Sequence, residues 1–308
     1  MRIAVWGAGA LGLLWGARLT KLFPDTVLIT RTKEQRNHLQ RNGIQLTTLS
    51  GKVEQIPVRA LWVEELGKFP VIDYLFLMMK QTELPGVIQL LSRMGFRDTT
   101  ILMWQNGVGH EAFLPEYEDR YGAITTEGAR RDGLNAVTHT GKGLTWIGPF
   151  GNRSASSRIT SLVSRLKEAG IPVEVEESIG KRMWSKLMIN CAINPLTALL
   201  RIPNGALLHI PEGKAAMEQI LREAVQVANA LGYRMNLEET VEQALDVCHK
   251  TSSNHSSMLQ DLLKGRLTEI EAINGAIVRF GEQMGIETPV NRLLVQLIHA
   301  AEYPRQGK

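Results

Sequence analysis

The chain has 308 residues, 35 Lys+Arg against 31 Asp+Glu, and a hydrophobic fraction of 44%, enough for two domains with separate cores. The net charge of +4 is carried by scattered basic residues with no basic stripe or interleaved aromatics, which argues against a nucleic-acid partner and suits a small anionic ligand. Cys191 and Cys248 both lie in apolar helical patterns and the seven histidines are dispersed without HxxxH spacing, so neither a disulfide framework nor a metal site is expected, and a cytoplasmic location is.

The opening, MRIAVWGAGALGLLWGARL, has the positive residue, apolar run and small residues of a short signal peptide. The spacing of its glycines gives a better explanation. Residues 2–6 (RIAVW) predict a buried strand, GAGALG follows at 7–12, LLWGARLTKLF continues with helical periodicity, and TVLIT at 26–30 predicts the next strand. Strand, glycine-rich turn, helix and strand form the context of a dinucleotide fingerprint. In it Gly7 makes the tight turn, Gly9 admits a pyrophosphate, and Gly12 lets the helix pack closely. The N–H groups of the helix start, over Ala8, Ala10 and Leu11, face the phosphates. No run of roughly 18 apolar residues occurs, so no membrane span is expected.

At the end of the second strand an NAD site places Asp or Glu for the ribose diol. Here stand Thr30, Arg31, Thr32 and Lys33. A guanidinium grips a 2′-phosphate bidentately, so NADPH/NADP+ is the expected cofactor, with Arg31 as its main contact; the alternative for Arg31 is a solvated residue at a helix start. IDYLFLMMK (72–80) and TTILMWQNG (99–107) predict two more buried strands, with a helix at 82–94 between them. Lys80 and Asn106 follow these strands, where open parallel sheets bind ligands, though a surface lysine and a turn asparagine are the plain alternatives. YGAITTEGARRDG, NAVTHTG and GLTWIGPF then predict antiparallel strands, followed by a helix near 155–169 and IPVEVEE. The domain boundary is expected near 175–180.

Beyond it the pattern is helical, at about 181–200, 211–231, 238–250, 255–263, 267–285 and 289–302. The first of these, KRMWSKLMINCAINPLTALL, is apolar on most faces, yet Lys186, Asn190 and Asn194 recur at intervals of four. Such positions share one helix face. Either that face is a wet surface stripe or it lines a cavity taking a polar ligand. Asn254, Ser256 and Ser257 stand at a predicted helix start, as caps or as holders of a carboxylate. Glu269 is predicted within a helix whose apolar stripe is Ile270, Ile273, Ile277 and Phe280, with Glu271 as a competitor by composition. A first domain followed by helices suggests a cleft between them.

GAGALG at 7–12, QNGVG at 105–109, ARRDG at 129–133, WSKLMINCAINPLTAL at 184–199, PNG at 203–205 and NHSSMLQDLLKGRLTEIEAING at 254–275 together resemble the 2-dehydropantoate 2-reductase (ketopantoate reductase) family over essentially the whole length. The resemblance implies an α/β Rossmann-like dinucleotide-binding domain (1–177) followed by an all-α substrate and catalytic domain (178–308) of the 6-phosphogluconate dehydrogenase C-terminal type. It implies NADPH-dependent reduction of ketopantoate to (R)-pantoate, on the route to pantothenate and coenzyme A. Lys186 then matches the proton donor. Asn106, Asn190, Asn194, Asn204, Asn254, Ser256 and Ser257 match substrate-side positions. Gly7, Ala8, Gly9, Ala10, Leu11, Gly12, Arg31, Lys80, Asn106, Ala129 and Glu269 match cofactor-side positions. One departure is Glu127: a His or small polar residue is expected just before GARRDG, and a carboxylate facing the cofactor would repel its phosphates. A related 2-keto acid or imine reductase is the alternative, and a non-catalytic NADPH sensor a further one. A homodimer is compatible with the apolar second half.

Overall fold

The computed structural model describes residues 1–68, 72–94, 98–114, 117–151 and 153–303. The chain divides into two compact units, Met1–Gln105 with His110–Gly180, and Asn106–Gly109 with the residues from Lys181 on.

The first unit runs β1 (Ile3–Trp6), α1 (Ala10–Leu22), β2 (Val27–Thr30), α2 (Lys33–Asn42), β3 (Ile44–Thr47), β4 (Val53–Ile56), β5 (Arg59–Trp62), β6 (Tyr74–Leu77), α3 (Leu84–Met94), β7 (Thr100–Met103), β8 (Arg120–Thr125), β9 (Gly128–Arg131), β10 (Ala136–Gly141), β11 (Thr145–Pro149), α4 (Ser157–Glu168) and β12 (Val173–Val175). Among the described residues eight strands form one sheet, in the order β12-β11-β8-β7-β6-β1-β2-β5. From β8 through β5 every pair is parallel; β11 is antiparallel to β8. IAVW, VLIT, YLFL and TILM are buried at every position, as expected of parallel strands covered on both faces. Trp15 of α1 packs on Phe76 and Trp104 at centroid distances of 6.2 and 5.1 Å. Aromatic packing of this kind adds about 0.5–1.5 kcal/mol per pair beyond area burial.

The strands expected from 120 on do pair antiparallel, β11 with β8 and β10 with β9, but they are divided between two sheets: β8 also joins β7 in parallel, while β9 and β10 enter a second sheet of order β4-β3-β10-β9. In that sheet β10 pairs with β3 in parallel. The region 33–62, left unassigned by the sequence, holds α2 and β3 to β5.

His110 opens a short 3-10 turn, His110–Phe113, and is fully buried. Its ring stands edge-on to Phe150 at 5.8 Å. Neither ring nitrogen has a hydrogen-bond partner among the described residues. Burial pushes its pKa down to about 4, so the imidazole is neutral.

The second unit contains α5 (Ile179–Leu200, from Lys181 on), α6 (Pro211–Ala230), α7 (Leu237–Lys250), α8 (Ser257–Leu263), α9 (Asn274–Met284) and α10 (Pro289–Glu302). α5 carries Pro195 in its interior. The helix expected over 267–285 is broken: Thr268 to Ile273 form an irregular turn with 3-10 geometry at Ile270–Ala272, and α9 starts only at Asn274. The cause is competition for backbone groups. Glu302 Oε1 takes the N–H of Thr268 at 2.7 Å, and Thr268 Oγ1 takes that of Ile270 at 3.2 Å; such side-chain bonds draw a segment out of the helix ladder. Glu269 therefore lies in the turn, not on a helix.

No helix of the described residues is long and apolar enough to cross a membrane. No group of three or more His, Cys, Asp or Glu among them could hold a metal. Cys191 and Cys248 are free and buried.

Candidate active site

The glycine turn between β1 and α1 is built as a cradle. Gly7 has φ +110, a region L side chains rarely adopt, and a Cβ there would stand 2.7 Å from the backbone of Met78 and Met79. A Cβ on Gly12 would overlap the carbonyl oxygen of Gly7, so this glycine seats the helix on its turn. A Cβ on Gly9 would meet nothing within 4 Å. That open side lies at the start of α1, which has no side-chain cap and no acidic residue in its first turn. First-turn N–H groups lack intrahelical acceptors and bear a partial positive charge, so the turn fits a pyrophosphate. Ala8 is buried, and its carbonyl accepts from Gln35 Nε2 at 2.9 Å; Gln35 also donates to Leu134 O at 2.7 Å. Gln35 thus braces the turn, a role without a signature in the sequence.

Beside the turn, the end of β2 offers cations. The Arg31 side chain is 79% exposed and stands 3.5 Å from Glu83 Oε1, a surface pair worth about 0–1 kcal/mol. Lys33 Nζ lies 6.0 Å from the Trp62 ring, whose Nε1 donates to Arg31 O. Thr32 is occupied as the cap of α2, accepting from Gln35 N. Lys80 is half-buried at the start of the 3-10 turn Gln81–Glu83. Next to it Gln105 Nε2 donates to Leu77 O and Met79 O, at 2.9 and 3.0 Å, which pins the ends of β6 and β7 together.

In the second unit the polar row of α5 meets the Glu269 turn. Lys186 and Asn190 are half-buried and Asn194 is buried. Burial holds the Lys186 ammonium below its ordinary pKa, and the Glu269 carboxylate raises it part of the way back. Asn106 Nδ2 donates to Glu269 Oε2 at 2.9 Å, so the carboxylate is oriented by the QNGVG segment. That segment turns through Gly107 and Gly109, at φ +90 and +82, and a Cβ on Gly109 would press on Phe280 at 3.1 Å. The result is a tempered ammonium, its counter-carboxylate and neutral amides.

The chain's residues 178–302 match the family model described as ketopantoate reductase PanE/ApbA C terminal, and residues 3–152 match ketopantoate reductase PanE/ApbA. The chain belongs to the ketopantoate reductase family. It is similar to the 2-dehydropantoate 2-reductases of Vibrio cholerae, 34% identical, and Archaeoglobus fulgidus, 32% identical, each over 98% of both chains. Among solved structures it is similar to a PanE/ApbA family ketopantoate reductase from Ralstonia eutropha (TM-score 0.88, 28% identity, all of both chains). It is also similar to a D-mandelate dehydrogenase solved with NADH and anilino(oxo)acetate (TM-score 0.90, 27% identity, 98% of both chains).

The remaining positions singled out by the family pattern are distributed as follows. Asn204 is buried; its Nδ2 donates to Thr251 Oγ1 at 2.9 Å, and its Oδ1 has no partner among the described residues. Asn254 and Ser257 are exposed. Ser256 is buried and committed as the α8 cap: its Oγ accepts from Leu259 N at 3.2 Å and sits 2.8 Å from Thr197 Oγ1. Ala129 lies on β9, paired with His139 and partly buried against the core.

Glu127, which has no role in the family pattern, has a structural one. It takes a bidentate pair from Arg18 of α1, Nη1 to Oε2 and Nη2 to Oε1, both at 2.7 Å, with its side chain 1% exposed. His139 Nε2 lies 3.4 Å from Oε1. The carboxylate is spent on anchoring the flank of α1.

Proposed function

We propose that the protein reduces ketopantoate to (R)-pantoate with NADPH, with Lys186 as proton donor. The observation that carries this is the Lys186–Glu269–Asn106 arrangement in a chain whose curated relatives bear that activity in their names. NADPH, when bound, supplies the hydride. The residues that would hold it are the glycine turn Gly7–Gly12 for the pyrophosphate and Arg31 for the 2′-phosphate, with Lys80 and Ala129 beside them.

The chain's own contribution is charge and proton. As the ketone carbon gains a hydride, its oxygen becomes an alkoxide unless a proton arrives. Lys186 Nζ gives that proton, and before transfer its positive charge stabilises the developing anion. Burial makes the ammonium a readier acid, while Glu269 keeps it charged until needed. Asn190 and Asn194, one and two turns along the same face, offer neutral donors and acceptors to a polyfunctional substrate. The unpartnered Oδ1 of Asn204 and the exposed Asn254 and Ser257 extend that polar set. Ser256 serves by holding the start of α8. The two buried free thiols accord with a cytoplasmic enzyme.

Two observations favour a second reading. Glu83 beside Arg31 weakens the case for a 2′-phosphate, and D-mandelate dehydrogenase was solved with NADH and anilino(oxo)acetate. An NADH-dependent reductase of aryl 2-keto acids would fit both.

The test is cofactor oxidation with ketopantoate, benzoylformate, pyruvate, 2-ketoisovalerate and a cyclic imine, each with NADPH and NADH. Turnover of ketopantoate with NADPH well above the rest is expected, lowered about 10²- to 10⁴-fold in Lys186→Ala. Preference for benzoylformate with NADH would establish the second reading. Full turnover in Lys186→Ala would remove the lysine from the chemistry.

A further inference from the structure

Pro195, inside α5, has no N–H, so the carbonyl four residues earlier, Cys191 O, lacks its usual i+4 donor, and a proline ring crowds such a carbonyl. The gap falls inside the functional row: Lys186 and Asn190 precede it and Asn194 adjoins it. A side chain fills it. Asn274 Nδ2 donates to Cys191 O at 3.0 Å.

That amide is held in turn. Asn274 Nδ2 also donates to Asn291 Oδ1 at 2.9 Å. Asn291 Nδ2 donates to Glu223 Oε2 at 2.7 Å and to Ile220 O at 3.2 Å. Glu223 takes the N–H groups of Val290 and Asn291 as well, each at 2.9 Å, at the start of α10. The Glu223 carboxylate accepts only, which forces the orientation of Asn291 and then of Asn274; flipping either would set oxygen against oxygen. Asn274 and Asn291 are fully buried, and Glu223 is 8% exposed. Asn274 Oδ1 has no partner among the described residues, a cost an apolar residue would avoid. The amide is therefore explained by its donors rather than by packing. Asn274 also ends the turn that carries Glu269, five residues before it.

We propose that Asn274, fixed by Asn291 and Glu223, is a positioning residue: it bonds α5 at the carbonyl that Pro195 leaves without its i+4 donor and fixes that helix to the turn carrying Glu269, and so sets Lys186 against Glu269 and Asn194. This rests on the role given to Lys186 above.

The experiment compares wild type with Asn274→Ala, Pro195→Ala and the double variant. Three readouts are used: melting temperature, kcat and KM for the best substrate, and the pH dependence of Lys186 labelling by an amine-reactive anhydride, read by mass spectrometry. Asn274→Ala is expected to lower Tm, reduce kcat about 10- to 100-fold, as for a misplacement of ~1 Å, and move the Lys186 labelling midpoint to lower pH as Glu269 withdraws. Pro195→Ala restores an N–H opposite Cys191 O. It is expected to keep or raise Tm while still losing kcat, and in the double variant to recover Tm but not kcat or the labelling midpoint. Recovery of kcat along with Tm in the double variant would reduce Asn274 to a stabilising role and overturn the proposal, as would a fully active Pro195→Ala. The labelling curve needs no substrate. If wild type reduces none of the keto acids tested, the functional reading fails while the labelling midpoints still judge the positioning.

Discussion

His110 allows a stability prediction with its size worked out. The ring is fully buried, lies against Phe150 and has neither nitrogen paired among the described residues. Its folded pKa of about 4 lies below the ordinary 6.5. Protonation therefore favours the unfolded chain. The cost is absent above about pH 7, grows as pH falls through 6.5, and levels off below about 4. Between pH 7.5 and 5.0 it comes to about 2 kcal/mol, approaching about 3 kcal/mol in the acid limit. His110→Leu removes the titration. At pH 7.5 it should be neutral or slightly stabilising, because an unpaired buried polar ring is replaced by an apolar side chain. At pH 5.0 the variant should exceed wild type by about 2 kcal/mol more than at pH 7.5, or roughly 4–8 °C in the melting of a unit this size. Urea unfolding of both proteins at the two pH values measures this, and the comparison cancels the titrations they share. A variant advantage that does not change with pH would show that the ring is hydrated or paired, and would refute the argument.

Three other perturbations separate binding from folding. Gly9→Ala puts a methyl into open space at an unstrained φ of −78, so Tm should hold or rise slightly, while NADPH affinity falls at least tenfold in a fluorescence titration; unchanged affinity would move the pyrophosphate elsewhere. Arg31→Ala should cost about 1.5–3 kcal/mol of NADPH binding, roughly 10- to 150-fold, with little change for NADH; equal losses would end the 2′-phosphate assignment. Glu127→Ala strands the Arg18 guanidinium and should cost about 3 kcal/mol of stability with NADPH affinity within about threefold. Tighter NADPH binding at unchanged Tm would instead show that the carboxylate faces the phosphates.

The elements legible in the sequence were those whose signal is local. β1, the glycine turn and α1 announce themselves by an apolar run and three glycines, and the α5 row by a four-residue interval. β3 to β5 are four-residue strands of mixed burial, and β3 finds its parallel partner β10 some ninety residues on, so nothing local marks them. Glu269 was misplaced because Ile270, Ile273, Ile277 and Phe280 do recur at helical spacing; the bond from Thr268 N to Glu302, 34 residues away, overrides that pattern. Arg18 and Glu127 are 109 residues apart and Cys191 and Asn274 are 83 apart. Each pairing is chosen by the fold, and no single-sequence pattern encodes it.

The assignment of Asn106–Gly109 to the second unit bears on how such enzymes can recombine. A chimera joined at residue 178 would take Lys186 and Glu269 from one parent and Asn106, the donor to Glu269, from the other. A crossover that respects the chemistry would also carry four residues from the middle of the other half. Exchange of halves between relatives is therefore expected to succeed only where both parents share the QNG segment, and that short loop should travel through the lineage with the helices rather than with the strands around it.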